Sequence, residues 1–201
     1  YDSLLGNGCD QANAEATADN ITMAERDGYQ SHGLFRLPSF VVSLKNGKLN
    51  GKAVPKIDTL APGVLRVNGD NGIAALAQQR SRKALINRAR EQGVAIAALT
   101  DIFHMAALWP DVEPLAEQGL CAIAMTASRR FVAPAGGSKS LFGTNPLAFA
   151  WPRKDAPPMV FDQAVSVMAR GEVQIAARDG HVLPEGVGLD SDGNPSTDPQ
   201  A

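Results

Sequence analysis

No apolar run in the 201 residues approaches the roughly 20 needed to cross a bilayer; Val94 to Leu99 is only a strand's worth. No basic start followed by an apolar stretch stands in the sequence, so no secretory leader is visible. A net charge of −2 leaves no basic excess, which argues against a nucleic-acid binder. Cys9 and Cys121 are too few for a disulfide framework and lack metal-ligand spacing. Cys121 lies in an apolar stretch and reads as a small core residue, and this cysteine usage fits a reducing cytoplasm. The 3 histidines are dispersed, so no metal site is expected. Neither a G-x-G-x-x-G between strand and helix nor a P-loop exists; Gly136-Gly137-Ser138-Lys139 has the wrong spacing and reads as a flexible turn. Repeats and low-complexity tracts are also missing.

What is there suits a globular protein: 44% hydrophobic residues, 20% charged, and enough length for one large domain or two small ones. Ala- and Glu-rich residues 11–26 predict a helix, with Gly28 just past its end. A second helix is expected from Gly33 to about Lys45, burying Leu34, Phe35, Leu37, Val41 and Leu44, with Pro38 tolerable in its first turn. Residues 54–57 and 64–67 read as antiparallel strands. Residues 73–92 form the clearest helix, with Ala77, Ser81, Ala84 and Leu85 on one face and Gly93 closing it. Buried strands are expected over 94–99 and 120–125, separated by a helix over 106–118. Residues 131–140 read as loop, 147–151 and 159–161 as strands, and 171–178 as a short helix. The pattern is mixed α/β, and strand order is not readable from it.

One short stretch concentrates chemistry: Asp27-Gly28-Tyr29-Gln30-Ser31-His32-Gly33-Leu34-Phe35-Arg36-Leu37-Pro38. If it is helical from Gly33, His32 and Arg36 project from one face four residues apart. An imidazole that titrates near neutrality then stands beside a permanent planar cation. An enzyme acting on a small carboxylate uses that pair, Arg36 clamping the acid and His32 moving a proton at the neighbouring atom. Ser31, next to the ring, is placed to fix its tautomer. The competing reading is a surface helix start capped by Ser31, with Arg36 solvated.

His104 falls between a strand and a helix start, where unpaired N–H groups favour anions; capping of the strand end is the alternative. Gly143-Thr144-Asn145-Pro146 combines a tight turn with short polar groups, and an ordinary turn before a strand explains it equally well. Asp162 ends an apolar strand, and His181 sits in a solvated turn.

Asp27-Gly28, Ser31-His32-Gly33, Arg36 and Pro38, followed in order by His104, Phe142-Gly143-Thr144-Asn145-Pro146 and Asp162, resemble the signature of the malate/L-lactate dehydrogenase family. These are NAD(P)H-dependent oxidoreductases of 2-hydroxy acids and cyclic imino acids. His104-Met105-Ala106-Ala107-Leu108-Trp109-Pro110-Asp111-Val112-Glu113-Pro114 resembles the branch that reduces Δ1-piperideine-2-carboxylate and Δ1-pyrroline-2-carboxylate to L-pipecolate and L-proline. The resemblance implies a non-Rossmann α/β fold, with a largely antiparallel or mixed central sheet flanked by helices, working as a homodimer. It places a helical segment over residues 1–50 and a cofactor- and substrate-binding domain over 51–201. It implies Ser31 and His32 as catalytic relay, and Arg36, Met125 and Thr144 as substrate contacts. NADPH, or NADH in its place, would meet His104, Met105, Ala106, Ala107, Leu108, Asp162, Gln163 and Ala164. The chain has His-Met-Ala where many relatives have His-Phe-Gly, and Val165 where they have Thr. Family members are considerably longer, so the resemblance implies that a short amino-terminal piece and a large carboxy-terminal part are missing. Two alternatives stand beside the imine reductase: a malate- or lactate-type dehydrogenase, in which His32 takes the hydroxyl proton, and an inactive stretch without a complete cofactor site.

Overall fold

The structure is a computed structural model and describes residues 1–201. The first quarter of the chain is helical: α1 (Asp2–Leu5), α2 (Gln11–Arg26), two 3-10 turns (Gln30–His32 and Leu34–Arg36) and α3 (Leu37–Lys45). Asp10 caps α2 by accepting the Asn13 N–H at 2.9 Å, and Gly28, at φ 83°, takes the chain out of it.

Two small sheets follow. The first has the order β1 (Lys56–Ala61), β2 (Val64–Ile73), β3 (Ile96–Phe103), with β1 antiparallel and β3 parallel to β2. The long helix α4 (Ala74–Gln92) makes the parallel crossover and covers one face of β2, where Leu65 and Val67 alternate into the core. Leu4, Ile21 and Phe40 pack with Ile73 and Leu76 in one cluster, so the helical segment and the first sheet share a core. The second sheet is wholly antiparallel, β4 (Ala122–Met125), β5 (Leu147–Arg153) and β6 (Ala156–Gln163) in that order. Helix α5 (Trp109–Ala116) lies on it, packing Val112 and Ala116 against Ala122, Ala148 and Ala150. Helix α6 (Arg170–Asp179) and a short hairpin, β7 (Gly188–Leu189) and β8 (Pro195–Ser196), complete the chain. No helix is long and apolar enough to cross a membrane.

The expected α/β class holds, with mixed and antiparallel pairing divided between two sheets rather than joined in one. The strand–helix–strand run β3–α5–β4 makes no parallel unit, because β3 and β4 belong to different sheets. Both strands expected to be buried are covered on one face only. Val94 and Ile96 are exposed, and in β4 Ile123 and Met125 face outward. Cys121, expected in the core, is exposed, while Cys9 is the buried cysteine. Helix α5 starts three residues later than expected, for a reason that belongs to the site. The helix expected from Gly33 is interrupted: Gly33 adopts φ −91°, ψ −137°, and this break resets the helical phase. Leu34, expected to be buried, is 59% exposed, and Phe40 fills the core instead at 3%.

Candidate active site

Ser31 is fully enclosed, and its Oγ lies 3.0 Å from His32 Nδ1. That contact leaves Nε2 as the ring atom free to face a ligand. His32 and Arg36 do not share a continuous helical face as the spacing predicts. They end the two successive 3-10 turns on either side of Gly33. The two remain close enough for their charges to interact. Burial, and next the Arg36 charge, push the His32 imidazole down to about 4, against the opposing pull of Glu172. Burial likewise lowers Arg36, again opposed by Glu172. The Arg36 Nε is buried and without a hydrogen-bond partner. An orphaned guanidinium N–H of this kind calls for an acceptor.

Glu172 was not legible in the sequence. It stands in the first turn of α6, and only the packing of that helix on the 30–36 turns brings it to the site. Gly171 makes the approach feasible: a β-carbon there would collide with Arg36 Nη2 and with the Ser31 Cβ and carbonyl oxygen.

His32 and His104 line one narrow cleft with Phe40, Met105 and Ala106. Its free volume of about 10 Å³ is the room of a single water. His104 is also pushed down to about 4, by burial. Both rings are therefore neutral at pH 7.

Ala107 and Leu108 turn their side chains into the core rather than the cleft. Asp162 Oδ2 accepts the Leu108 and Trp109 amides at 2.8 and 2.9 Å. This carboxylate at the end of β6 caps α5 from outside the helix and sets its first residue. It also takes up the Leu108 N–H that the resemblance would offer to a cofactor. Removing it orphans two amides, so Asp162→Ala is expected to lower stability by about 2–4 kcal/mol in a urea titration.

Within the first turn of α5, Asp111 accepts a hydrogen bond from Gln78 Nε2 at 2.7 Å. Burial, with the Asp162 charge adding to it, pushes the Asp111 carboxyl up to about 8, while Arg82 and the Gln78 bond oppose the shift. Between its ordinary value of 3.8 and about 8 the native state thus holds one more proton than the unfolded chain, and stability falls as pH rises through that window. The two depressed histidines act oppositely, losing stability as pH falls from 6.5 to about 4. Asp111→Asn is expected to remove the alkaline loss alone: its urea midpoint gains on the parent from pH 5 to pH 8 and shows little difference at pH 4.

Thr144 binds Ser128 twice, its N–H donating to Ser128 Oγ at 2.9 Å and the two hydroxyls meeting at 3.0 Å. It lines a wider groove of about 660 Å³, shared with Ser166, Lys139 and Arg170. Arg170 directly precedes Gly171, so the start of α6 joins this groove to Arg36. Met125 lies on the open face of the second sheet, in one cross-strand row with Leu147 and the exposed Gln163. Ala164, half-buried, follows at the end of β6. The structure therefore brings Ser31 and Arg36 beside His32 and sets His32 in one cleft with His104, Met105 and Ala106, while Asp162 holds the Leu108 amide, Thr144 lines the wider groove, and Met125 and Gln163 share the open face of the second sheet. His181 is exposed, as expected.

The sequence matches the malate/L-lactate dehydrogenase family over residues 1–201. It is 49% identical over 194 residues to a Δ1-pyrroline-2-carboxylate/Δ1-piperideine-2-carboxylate reductase of Pseudomonas putida, a match covering 96% of this chain and 57% of that protein. Among solved structures, the Δ1-piperideine-2-carboxylate reductase of Pseudomonas syringae superposes with a TM-score of 0.95 at 47% identity, over 100% of this chain and 60% of that one. The sulfolactate dehydrogenase of Methanocaldococcus jannaschii superposes with a TM-score of 0.85 at 31% identity, over 99% and 58%. The chain thus spans somewhat under two thirds of the length of these relatives. On the match along its whole length, together with these likenesses, the chain belongs to the malate/L-lactate dehydrogenase family.

Proposed function

We propose that the protein reduces cyclic imino acids of the Δ1-pyrroline-2-carboxylate and Δ1-piperideine-2-carboxylate type, with NADPH as hydride donor. The observation that carries this reading is the buried, unpartnered Arg36 Nε beside a neutral, Ser31-held imidazole. A substrate carboxylate bound at Arg36 gives the guanidinium its acceptor and cancels part of the charge that depresses His32. Substrate binding thereby raises the ring toward the range in which it can hold and release a proton. Glu172, which pulls both groups in the same direction, supports the charged forms.

Of the cofactor-facing residues the resemblance implies, His104, Met105 and Ala106 share the cleft wall with His32, and Gln163 and Ala164 lie at the accessible end of β6. The cleft itself admits only a water, so on this reading a nicotinamide would meet His104, Met105 and Ala106 at the cleft's opening, with Asp162, Ala107 and Leu108 as the support behind them. Bound there, the reduced nicotinamide supplies the hydride. Phosphate binding at a Rossmann glycine loop is not part of this reading, since the β2–α4 junction, Gly69-Asp70-Asn71-Gly72-Ile73, carries no G-x-G-x-x-G.

A neutral resting His32 favours the imine over a 2-oxo acid. A protonated imine brings its own proton on nitrogen, whereas reduction of a ketone must deliver one to oxygen. Turnover with Δ1-pyrroline-2-carboxylate, pyruvate and oxaloacetate, each with NADPH and NADH, tests this. The imine with NADPH is expected to be fastest; preference for either oxo acid reverses the assignment to a 2-hydroxy-acid dehydrogenase.

A further inference from the structure

We propose that Glu25, near the end of α2, is a positioning residue that holds the break between His32 and Arg36, an inference that rests on the substrate reading given above. The backbone of the stretch bonds internally at three points: His32 N–H to the Tyr29 oxygen at 2.9 Å, Gly33 N–H to the Gln30 oxygen at 3.0 Å, and Arg36 N–H to the Gly33 oxygen at 2.9 Å. Leu34 opens the second turn, where the chain has just left helical geometry, and its N–H is taken by a side chain instead. Glu25 Oε1 accepts it at 2.6 Å, across nine residues. A carboxylate on a backbone amide makes a charge-assisted bond, shorter and stronger than a neutral one.

The same carboxylate explains Gly33. A β-carbon at that position would overlap Glu25 Oε1 and crowd its Cδ and Cγ, so only glycine lets the side chain lie across the backbone. Gly33 has negative φ, and its requirement is close approach rather than a left-handed conformation. Glu25 and Gly33 therefore act as a pair. The glycine admits the carboxylate, and the carboxylate keeps the chain from running on as a single helix from Gln30 to Lys45. Without that hold, the phase of Arg36 relative to His32 changes and the carboxylate clamp moves away from the proton-bearing ring. Glu25 hydrogen-bonds neither ring nor guanidinium; it works through the Leu34 amide.

Glu25→Ala is expected to raise KM for Δ1-pyrroline-2-carboxylate, and the Kd of the planar analogue pyrrole-2-carboxylate, about tenfold, with a smaller loss in kcat. Glu25→Gln keeps an oxygen at the same reach and is expected to recover most of both. Glu25→Asp keeps the charge but falls one methylene short, and is expected to resemble alanine. The His32 ring, followed by NMR through a pH titration, is expected to shift its midpoint in Glu25→Ala and Glu25→Asp and to return in Glu25→Gln. Gly33→Ala should lower the unfolding midpoint more when Glu25 is present than in a Glu25→Ala background, where the methyl has room. Unchanged KM and an unchanged His32 titration in folded Glu25→Ala would overturn the proposal, as would additive Glu25 and Gly33 effects. If the parent protein binds no pyrrole-2-carboxylate, the Arg36 assignment fails, and the His32 titration with the Gly33 cycle still decides the role of Glu25.

Discussion

Arg36→Ala is expected to raise KM for the imino acid by about 10²–10³-fold while kcat falls less. Truncating one partner of a buried, hydrogen-bonded charge pair costs about 2–5 kcal/mol, much of it the substrate carboxylate left without its partner. Arg36→Lys should recover little. A lysine ammonium is a point charge on a flexible stem and cannot present a planar fork to a carboxylate. The same substitutions carry an opposite expectation for stability. In the absence of substrate Arg36 is a buried cation with an orphaned N–H, and burial already disfavours its charge. Removing such a group leaves the folded state no less stable, and a small gain is expected in a thermal scan. A weak substrate effect combined with a large loss of stability would show that Arg36 is structural and would withdraw the clamp.

His32→Ala is expected to act on turnover rather than binding, lowering kcat by about 10²-fold with the imine and by up to about 10⁴-fold with a 2-oxo acid. The difference between substrates is the informative quantity. A ring that only packs in the cleft would affect both substrates alike, whereas a ring that supplies a proton matters most where the substrate has none to bring. The pH profile adds a second reading. Without ligand the ring titrates at about 4, from burial and the Arg36 charge. Filling Arg36 with a carboxylate offsets the second of these causes, so the alkaline limb of kcat, where the donor ring loses its proton, should lie at higher pH than that of kcat/KM. Coincident limbs, or an equal loss for both substrates, would remove His32 from the proton path. Ser31→Ala is expected to show a milder form of the same pattern, since it frees the ring that Ser31 Oγ holds at 3.0 Å.

Most helices and strands were open to pattern reasoning because they follow local rules. Helix α2 is delimited by Asp10 and Gly28, and α4 by its alanine-rich face and Gly93. The antiparallel pairing of β1 with β2 was expected, but β1 runs over Lys56–Ala61, exposed throughout, rather than 54–57, because the turn at Pro62-Gly63 sets where the hairpin closes. Several misjudged elements depend on something distant in the chain. Pattern alone made 94–99 and 120–125 buried strands, but a three-stranded sheet with a helix on one side leaves the other side open. Similarly, α5 begins where Asp162 meets its amides, and no residue near 108 announces that.

Sequence by itself determined the chemical inventory of this protein: a serine, a histidine and an arginine within six residues, dispersed cysteines and histidines, and no glycine-rich phosphate loop. It determined as much because side-chain chemistry and short-range periodicity are local properties of the chain. Tertiary structure alone decided how that inventory is set. It placed Glu172 against Arg36 and His32, brought His104 into the cleft with His32, assigned Asp162 to the start of α5, and broke the helix at Gly33 under Glu25. Each of these joins residues from separate elements, and burial and charge–charge coupling at such distances in the chain exist only once the elements have packed.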